Sequence, residues 1–131
     1  MIYLKINGLV FDTNDKKIFM KKVFILLLLL LVSRIYLNSQ IIYSTNYKYD
    51  ADIVVYVTDY QYDADLIVYK CDYKYDAEGN NGLWYFTEYK YDADKIIYFT
   101  DYKYDADLII YFSKNKYDAK WMNAAKKYLL Y

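Results

Sequence analysis

Residues 95–107 read Lys-Ile-Ile-Tyr-Phe-Thr-Asp-Tyr-Lys-Tyr-Asp-Ala-Asp, and the chain repeats this stretch with small changes. Its Tyr-Asp-Ala segment occurs six times, with successive copies 13, 13, 16, 13 and 13 residues apart. Self-similarity at a fixed period indicates one supersecondary unit that is copied until neighbouring copies bury each other. We expect the repeated residues to have structural roles; they are Tyr49, Asp50, Ala51, Tyr62, Asp63, Ala64, Tyr75, Asp76, Ala77, Tyr91, Asp92, Ala93, Tyr104, Asp105, Ala106, Tyr117, Asp118 and Ala119.

The first half of each copy has the composition of a β-strand, because it is rich in β-branched and aromatic residues. In residues 66–73, alternate positions give two faces. One face carries Ile67, Tyr69, Cys71 and Tyr73, and the other carries Leu66, Val68, Lys70 and Asp72. Both faces begin apolar and one becomes charged, which predicts a strand whose first half is enclosed and whose second half reaches solvent.

Asp-Ala-Asp then interrupts the strand pattern. Tight two-residue hairpins favour Asn-Gly or Asp-Gly because both central residues need a positive φ, and five of the six connections contain no glycine. We therefore predict corners, in which the aspartate side chain caps a single helical turn and the alanine packs inside. The remaining connection, residues 77–83, carries a three-residue insertion, and we expect a surface loop there.

Seven apolar segments predict seven strands joined by six corners. The segments lie near Ile41, Ile53, Leu66, Leu83, Ile96, Leu108 and residues 128–131, with a short helix expected over residues 121–127. An open solenoid carries polar end units, whereas these end segments are apolar, so we expect a closed or self-threading arrangement. The predicted fold class is mainly β with short helical turns, in a single small pseudo-symmetric domain. Tyrosine provides 19 of the 92 residues from Gln40 to Tyr131, and we expect most of these rings to form the core and its rim.

Three blocks of this sequence, in order, resemble the septoil knot domain family. They are the repeated Tyr-Lys-Tyr-Asp-Ala-Asp text, the segment Glu-Gly-Asn-Asn-Gly-Leu-Trp-Tyr-Phe at residues 78–86, and the ending from Ala119 to Tyr131. The resemblance covers about residues 41–131. It implies a small monomeric domain that is deeply knotted, as a seven-crossing torus knot. It carries over no functional residues, because the family has no established activity. Two features depart from the family's pattern: Cys71, and the N-terminal segment, which we interpret below as an export signal.

The first 40 residues do not belong to the repeat. Met20-Lys21-Lys22 is followed by ten apolar residues, Val23 to Val32, and then by small and polar residues. This order is typical of a secretory signal peptide, and the apolar run is shorter than the roughly 20 residues of a membrane span. We predict a signal peptide at residues 20–39, cleaved after Ser39 or alternatively after Ser33, and a repeat domain at residues 40–131. A retained anchor is the alternative. Residues 1–19 are then an upstream extension from a mis-assigned start.

Composition argues against several classes of partner. Residues 40–131 contain 11 lysines, no arginine and 15 acidic residues, which gives 11 − 15 = −4. A mildly acidic domain of this kind is a poor ligand for nucleic acid and for anionic membranes. The chain has one cysteine and so forms no internal disulfide. We expect a monomer located in the periplasm or outside the cell.

Catalytic and metal-binding residues are not expected. The aspartates of each Asp-Ala-Asp lie two residues apart, as in some calcium loops, but such loops need further oxygen donors and a glycine bend; capping and pairing with neighbouring lysines explain them better. Cys71 takes the position of Thr58, Thr87, Thr100 and Ser113 in other copies, and we interpret it as a packing substitute. The chain has no histidine, which is the commonest general base, and no cofactor motif.

We therefore expect a non-enzymatic exported domain whose working property is resistance to unfolding and proteolysis. A binding module that presents tyrosines to a glycan or a protein partner is the alternative. A third possibility is cross-β assembly of tyrosine-rich strands, which the charged corners oppose.

Overall fold

The computed structural model describes residues 3–6, 9–35 and 39–131. These divide into two compact units, one within residues 1–37 and one within residues 38–131. In the first unit, β1 (Tyr3–Ile6) pairs antiparallel with β2 (Leu9–Asp12), and the helix α1 (Thr13–Ile35) follows. Within the described ranges, no helix combines the length and apolarity needed to span a membrane. Residues 36–38 of the predicted signal peptide, and residues 1, 2, 7 and 8 of the predicted upstream extension, lie outside the described residues.

The second unit contains the repeats and is mainly β. Its strands are β3 (Ile41–Ser44), β4 (Ile53–Val57), β5 (Leu66–Lys70), β6 (Leu83–Phe86), β7 (Lys95–Phe99), β8 (Leu108–Phe112) and the short β9 (Lys120–Trp121). Each of the six connections from β3 onward contains one turn of 3₁₀-helix. These turns are η1 (Lys48–Asp50), η2 (Gln61–Asp63), η3 (Lys74–Asp76), η4 (Lys90–Asp92), η5 (Lys103–Asp105) and η6 (Lys116–Asp118). The first six predicted strands and the corners between them are confirmed.

Strands β3 to β8 form a closed parallel barrel in which strands of the first half of the domain, β3 to β5, alternate with strands of the second half, β6 to β8. The order around the barrel is β6-β3-β7-β4-β8-β5, and β5 pairs with β6 to close it. Consecutive strands of the chain are therefore separated by one strand of the other half, except at β5 and β6. The turn η2, between β4 and β5, packs against β8, the strand that lies between them. The predicted closed arrangement is confirmed.

The register repeats with two long sequence separations. Ile53 of β4 aligns with Ile97 of β7, 97 − 53 = 44 residues away, and Val55 aligns with Leu108 of β8, 108 − 55 = 53 residues away. Pairing β5 with β8 repeats the shorter separation. Non-local pairing of this kind costs chain entropy before any contact forms, and it slows folding.

One face of each strand forms the main core inside the barrel. Its fully buried side chains are aliphatic apart from one indole: Ile42, Ile53, Val55, Leu66, Val68, Trp84, Ile97, Leu108 and Ile110. In β5, Leu66, Ile67 and Val68 are all buried, whereas Lys70 at its end is exposed. The predicted change from enclosure to solvent along this strand is confirmed. Burial of a Val, Leu or Ile side chain contributes about 1.5–3 kcal/mol, so this aliphatic interior is the main source of stability.

The C-terminal segment closes the end of the barrel at which the strands begin, and here the prediction was wrong. Residues 128–131 do not form a seventh strand: η7, a 3₁₀-helix over Ala124–Leu130, takes their place and inserts Leu130 into the core. The extra strand is β9, antiparallel to β5, so the predicted helix over residues 121–127 begins three residues too early. Each of β3 to β8 already pairs on both sides, so the closed barrel leaves no edge for another full strand, and the seven residues of η7 cover the amino end of the barrel instead.

The connection at residues 77–83 packs against η7, so the predicted surface loop is also corrected. The side chain of Asn80 is buried and donates to the Lys127 carbonyl at 3.0 Å, while the indole of Trp121 donates to the Asn80 carbonyl at 2.8 Å. The Gln40 side chain likewise donates to the Leu130 carbonyl at 3.0 Å. The inserted residues thus hold the C-terminal segment in place.

Candidate functional site: the tyrosine turns and the barrel mouth

We call the six connections that follow β3 to β8 the tyrosine turns: residues 45–52, 58–65, 71–78, 87–94, 100–107 and 113–119. In the first, the Thr45 hydroxyl accepts a hydrogen bond from the N–H of Tyr47 at 3.2 Å, and the Asp50 N–H donates to the Tyr47 carbonyl at 3.1 Å. Thr58, Thr87 and Thr100 accept the equivalent bond in their own turns, and Ser113 does so in the sixth. A hydroxyl that bonds the backbone two residues on is a recognised turn-forming contact.

In the first five turns, the two tyrosines project into solvent and contact each other. We call these the paired tyrosines: Tyr47–Tyr49, Tyr60–Tyr62, Tyr73–Tyr75, Tyr89–Tyr91 and Tyr102–Tyr104. Their ring centroids lie 5.3–5.9 Å apart, and the rings are 58–86% exposed. The prediction that most of these rings form the core and its rim was therefore wrong. The interior of a six-stranded barrel is narrow and is filled by aliphatic side chains, and the 3₁₀ turns direct the rings outward.

The first aspartate of each Asp-Ala-Asp ends its 3₁₀ turn, and three of these carboxylates form ion pairs with a lysine of a neighbouring turn. Lys90 contacts Asp50 at 2.6 Å, and the pairs Lys103–Asp63 and Lys74–Asp92 lie at 2.9 and 2.7 Å. Hydrogen bonding to the carboxylate raises the pKa of each of these three lysines. All the partners are substantially exposed, so these pairs orient the turns more than they stabilise the fold.

The second aspartate caps a strand, and not the helical turn that we predicted. The Asp52 N–H donates to the Ile96 carbonyl at 2.8 Å, and the Asp52 carboxylate accepts the Ile96 N–H at 2.9 Å. Asp65, Asp94 and Asp107 make the same pair of bonds with Ile109, Ile41 and Val54. In η1 to η5 no side chain caps the turn, and in η6 the cap is Asn115. The carboxylate replaces a strand carbonyl where the hydrogen-bond ladder begins, which local sequence does not reveal.

Asp65 makes more contacts than the equivalent aspartates. Besides its bonds to Ile109, its carboxylate accepts from the Asn123 amide at 3.3 Å and from the Lys126 ammonium at 3.1 Å. Its backbone carbonyl accepts the N–H groups of Met122 and Asn123 at 2.8 and 2.9 Å. One residue therefore joins the start of β5, the strand β8 and the C-terminal segment.

The alanines of the repeat pack inward to different extents. Ala64 and Ala77 are buried, whereas the other four are half-buried. The repeated tyrosines are the most exposed of the three positions, and Tyr117 reaches 93%. The repeat thus brings together a small inward residue, a capping or paired carboxylate and an outward ring.

The barrel mouth is the end at which the strands terminate, and the sequence reasoning did not anticipate it. The last residues of β6, β7 and β8 are Phe86, Phe99 and Phe112, and the Phe86 ring lies 6.5 and 6.3 Å from the other two. The Lys70 ammonium lies 4.5 Å from the Phe112 centroid and 5.4 Å from that of Phe86, a favourable cation–π arrangement. Phenylalanine at the same position of three successive copies is the signal that could have revealed this cluster.

Comparison with known sequences identifies the repeat unit. The sequence model of the 7(1) septoil knot domain matches residues 39–122, which covers more than half of the chain. The chain belongs to this family. A search of curated proteins and a search of solved structures each returned no significant match. The matched part of the septoil knot domain includes all six tyrosine turns and β9, and it ends just before η7.

Cys71 replaces the hydroxyl residue in the third turn of this septoil knot domain. The thiol is 7% exposed and packs with Ile41 and Ala77, and it lies 4.0 Å from the Tyr69 carbonyl. Burial, with the nearby Asp76 carboxylate as a secondary cause, raises the pKa of the Cys71 thiol. A thiol held neutral in this way is a poor nucleophile. Within the described residues, no group of three or more cysteine or acidic side chains is arranged to hold a metal ion.

Proposed function

We propose that residues 40–131 form an exported, non-enzymatic, monomeric domain whose working property is resistance to unfolding and to proteolysis. The observation that carries the proposal is the alternation of the two halves around the closed barrel. Every strand of the first half, β3 to β5, pairs only with strands of the second half, β6 to β9, and the reverse also holds. Separation of the two halves would break nearly every hydrogen-bond ladder of the barrel. Partial opening would free only a short part of the chain and so gain little chain entropy.

Threading of the chain is part of this proposal. Consecutive strands occupy every second position, so the chain passes around the barrel more than once, and a seven-crossing torus knot is consistent with that course. A threaded chain must withdraw an end before it unfolds completely. Stability then depends on the rate of unfolding, and we expect that rate to be low.

Cleavage of one loop tests this idea with a matched control. A specific protease site inserted between Gly79 and Asn80 allows the full-length chain to be cut between β5 and β6. The two halves then differ from the uncut protein by one broken peptide bond. We expect the cut halves to remain associated, because nearly all of their pairing is mutual, but to unfold and be digested much faster than the uncut chain. Equal rates of digestion within the repeats of the cut and uncut proteins would contradict the proposal.

Export is supported by the N-terminal helix. Phe24 to Leu31 in α1 are each more than half exposed, as expected for an apolar stretch that does not belong to a folded core. N-terminal sequencing of the native protein tests export: we expect a start near Gln40. Recovery of peptides from residues 20–33 in the mature protein would exclude cleavage.

The paired tyrosines favour a second candidate function, binding of a glycan or a protein partner. Exposed aromatic rings with polar hydroxyls are common in recognition surfaces, and here they recur around the barrel with a lysine or Gln61 between them. A glycan array and a pull-down against envelope material test this candidate, with Tyr49, Tyr91 and Tyr104 replaced by serine as the control. Binding that survives the triple replacement would exclude these rings.

A further inference from the structure

The paired tyrosines have a geometry that favours a covalent reaction between their rings. In the third turn, the Tyr73 and Tyr75 centroids lie 5.3 Å apart with an angle of 8° between the ring planes. Both rings are well exposed, at 59% and 70%. Small side-chain rotations therefore bring two ring carbons ortho to the hydroxyls together, while oxidants reach both phenols from solvent.

We propose that the paired tyrosines are sites of oxidative coupling, which gives an intramolecular dityrosine within a turn when a peroxide and a peroxidase are present. Each phenol loses one electron and one proton, and the two phenoxyl radicals join through their ortho carbons. The rings then lose the two ortho hydrogens as protons that restore the two hydroxyls. The balance is two phenols plus one hydrogen peroxide giving one biaryl and two waters. The proposal is independent of the threading proposed above.

Proximity explains why coupling occurs within a turn. Holding two reactants in contact replaces a bimolecular encounter by an effectively unimolecular step and can raise the effective concentration by many orders of magnitude. Phenoxyl radicals on two different molecules couple only when those molecules collide. At low protein concentration, coupling inside the turn should therefore exceed coupling between chains.

The sixth turn provides a natural contrast. Asn115 occupies the position of the first tyrosine, and its side chain accepts the Tyr117 N–H at 3.1 Å. Tyr117 is 93% exposed and has no tyrosine two residues before it. Its coupling partner must therefore come from outside its own turn, and links through Tyr117 report on coupling that the paired geometry does not assist.

The sequence makes the product easy to assign. Lysine lies between the two tyrosines in four of the five turns, so trypsin places the rings on different peptides unless a dityrosine joins them. For Tyr73–Tyr75, peptides 71–74 and 75–90 would stay together. Their joint mass would be the sum of the two peptides less two hydrogens. It exceeds the mass of the cross-linked peptide 71–90 left uncut at Lys74 by one water, and that of the unlinked uncut peptide by one oxygen, and fragmentation distinguishes the joined pair from a singly oxidised uncut peptide. In the second turn, Gln61 keeps both rings on one peptide, which would simply lose two hydrogens.

The experiment oxidises the dilute full-length chain with a photoexcited ruthenium complex and persulfate, once in native buffer and once in concentrated urea. Persulfate here accepts the two electrons. We expect blue dityrosine fluorescence in the monomer, joined peptides 71–74 and 75–90, and a yield several times greater in native buffer. Tyr75→Phe should abolish this joined pair and leave the Tyr102–Tyr104 pair unchanged. The Cys71→Thr background removes the single thiol as a competing reductant.

Three results would overturn the proposal. Dityrosine confined to covalent dimers would show that collisions dominate. Equal native and denatured yields would show that closeness in sequence, and not the folded turn, is responsible. Joined peptides that persist in Tyr75→Phe would show that another ring of peptide 75–90 reacts.

Discussion

Asp65 provides the sharpest test of how the barrel is held together, because Asp107 is its matched control. Both carboxylates accept a strand N–H at 2.9 Å, from Ile109 and from Val54. Only Asp65 also contacts Asn123 and Lys126 in the C-terminal segment. Replacement by alanine therefore removes one bond at Asp107 and three at Asp65.

The magnitudes follow from these contacts. Loss of a charge-assisted hydrogen bond to a strand N–H costs about 1.5 kcal/mol, which is the whole effect expected for Asp107→Ala. Asp65→Ala additionally loses the amide contact, about 0.5–1 kcal/mol, and the partly buried ion pair, again about 0.5–1 kcal/mol. We expect Asp65→Ala to lower the free energy of unfolding by about 3 kcal/mol. The difference of about 1.5 kcal/mol between the variants is roughly tenfold in the equilibrium constant.

Urea unfolding followed by tryptophan fluorescence measures these effects. The chain has two tryptophans, Trp84 and Trp121, and both lie in the barrel unit, so the signal reports on the barrel alone. Asp65→Asn should give an intermediate loss, because the amide oxygen still accepts the Ile109 N–H while the charge opposite Lys126 is gone. Equal midpoints and slopes for Asp65→Ala and Asp107→Ala would refute the reasoning, since the contacts to the C-terminal segment would then contribute nothing.

Three further predictions follow from other parts of the repeat. Cys71→Thr restores the hydroxyl found in the other turns and should stabilise the fold by about 1 kcal/mol. The pKa of the Cys71 thiol is higher in the folded state than in the unfolded chain. The wild type therefore keeps its full stability below about pH 8.5 and loses part of it as the pH rises through the folded pKa, so the difference in free energy of unfolding between the variant and the wild type should widen there. A constant difference across an alkaline urea series would contradict this. Gly82→Ala should prevent folding or cost more than about 3 kcal/mol, since φ is +91° and a Cβ would overlap a β5 carbonyl. Gly79→Ala, with φ +73° and only an ordinary contact to the Asn81 side chain, should cost about 1 kcal/mol, and circular dichroism melts compare the two. Lys90→Met should lower the melting temperature slightly in low salt and not at all in concentrated salt, because its ion pair with Asp50 is exposed; a salt-independent effect would indicate lost packing instead.

The position of the strands could be predicted from sequence, but the role of the aspartates could be predicted only in part. Alternation and β-branched content are local properties, and they located β3 to β8 correctly. The aspartate at a corner was expected to cap a helical turn, and the second aspartate caps the start of a strand instead. Its partner, however, is the N–H of a strand 44 or 53 residues away, and no local pattern specifies that distance.

Local sequence specifies the repeat unit, which is a short buried strand followed by a corner that lacks glycine in five of six copies, and the apolar ends predict closure. The pairing of strands, the insertion of the C-terminal segment and the direction of the tyrosines depend on tertiary packing, because the width of the barrel limits which side chains fit inside. Six strands enclose room for aliphatic side chains and one indole. Large rings such as Tyr91, which were expected in the core and its rim, lie on the turns instead, where they meet solvent and each other.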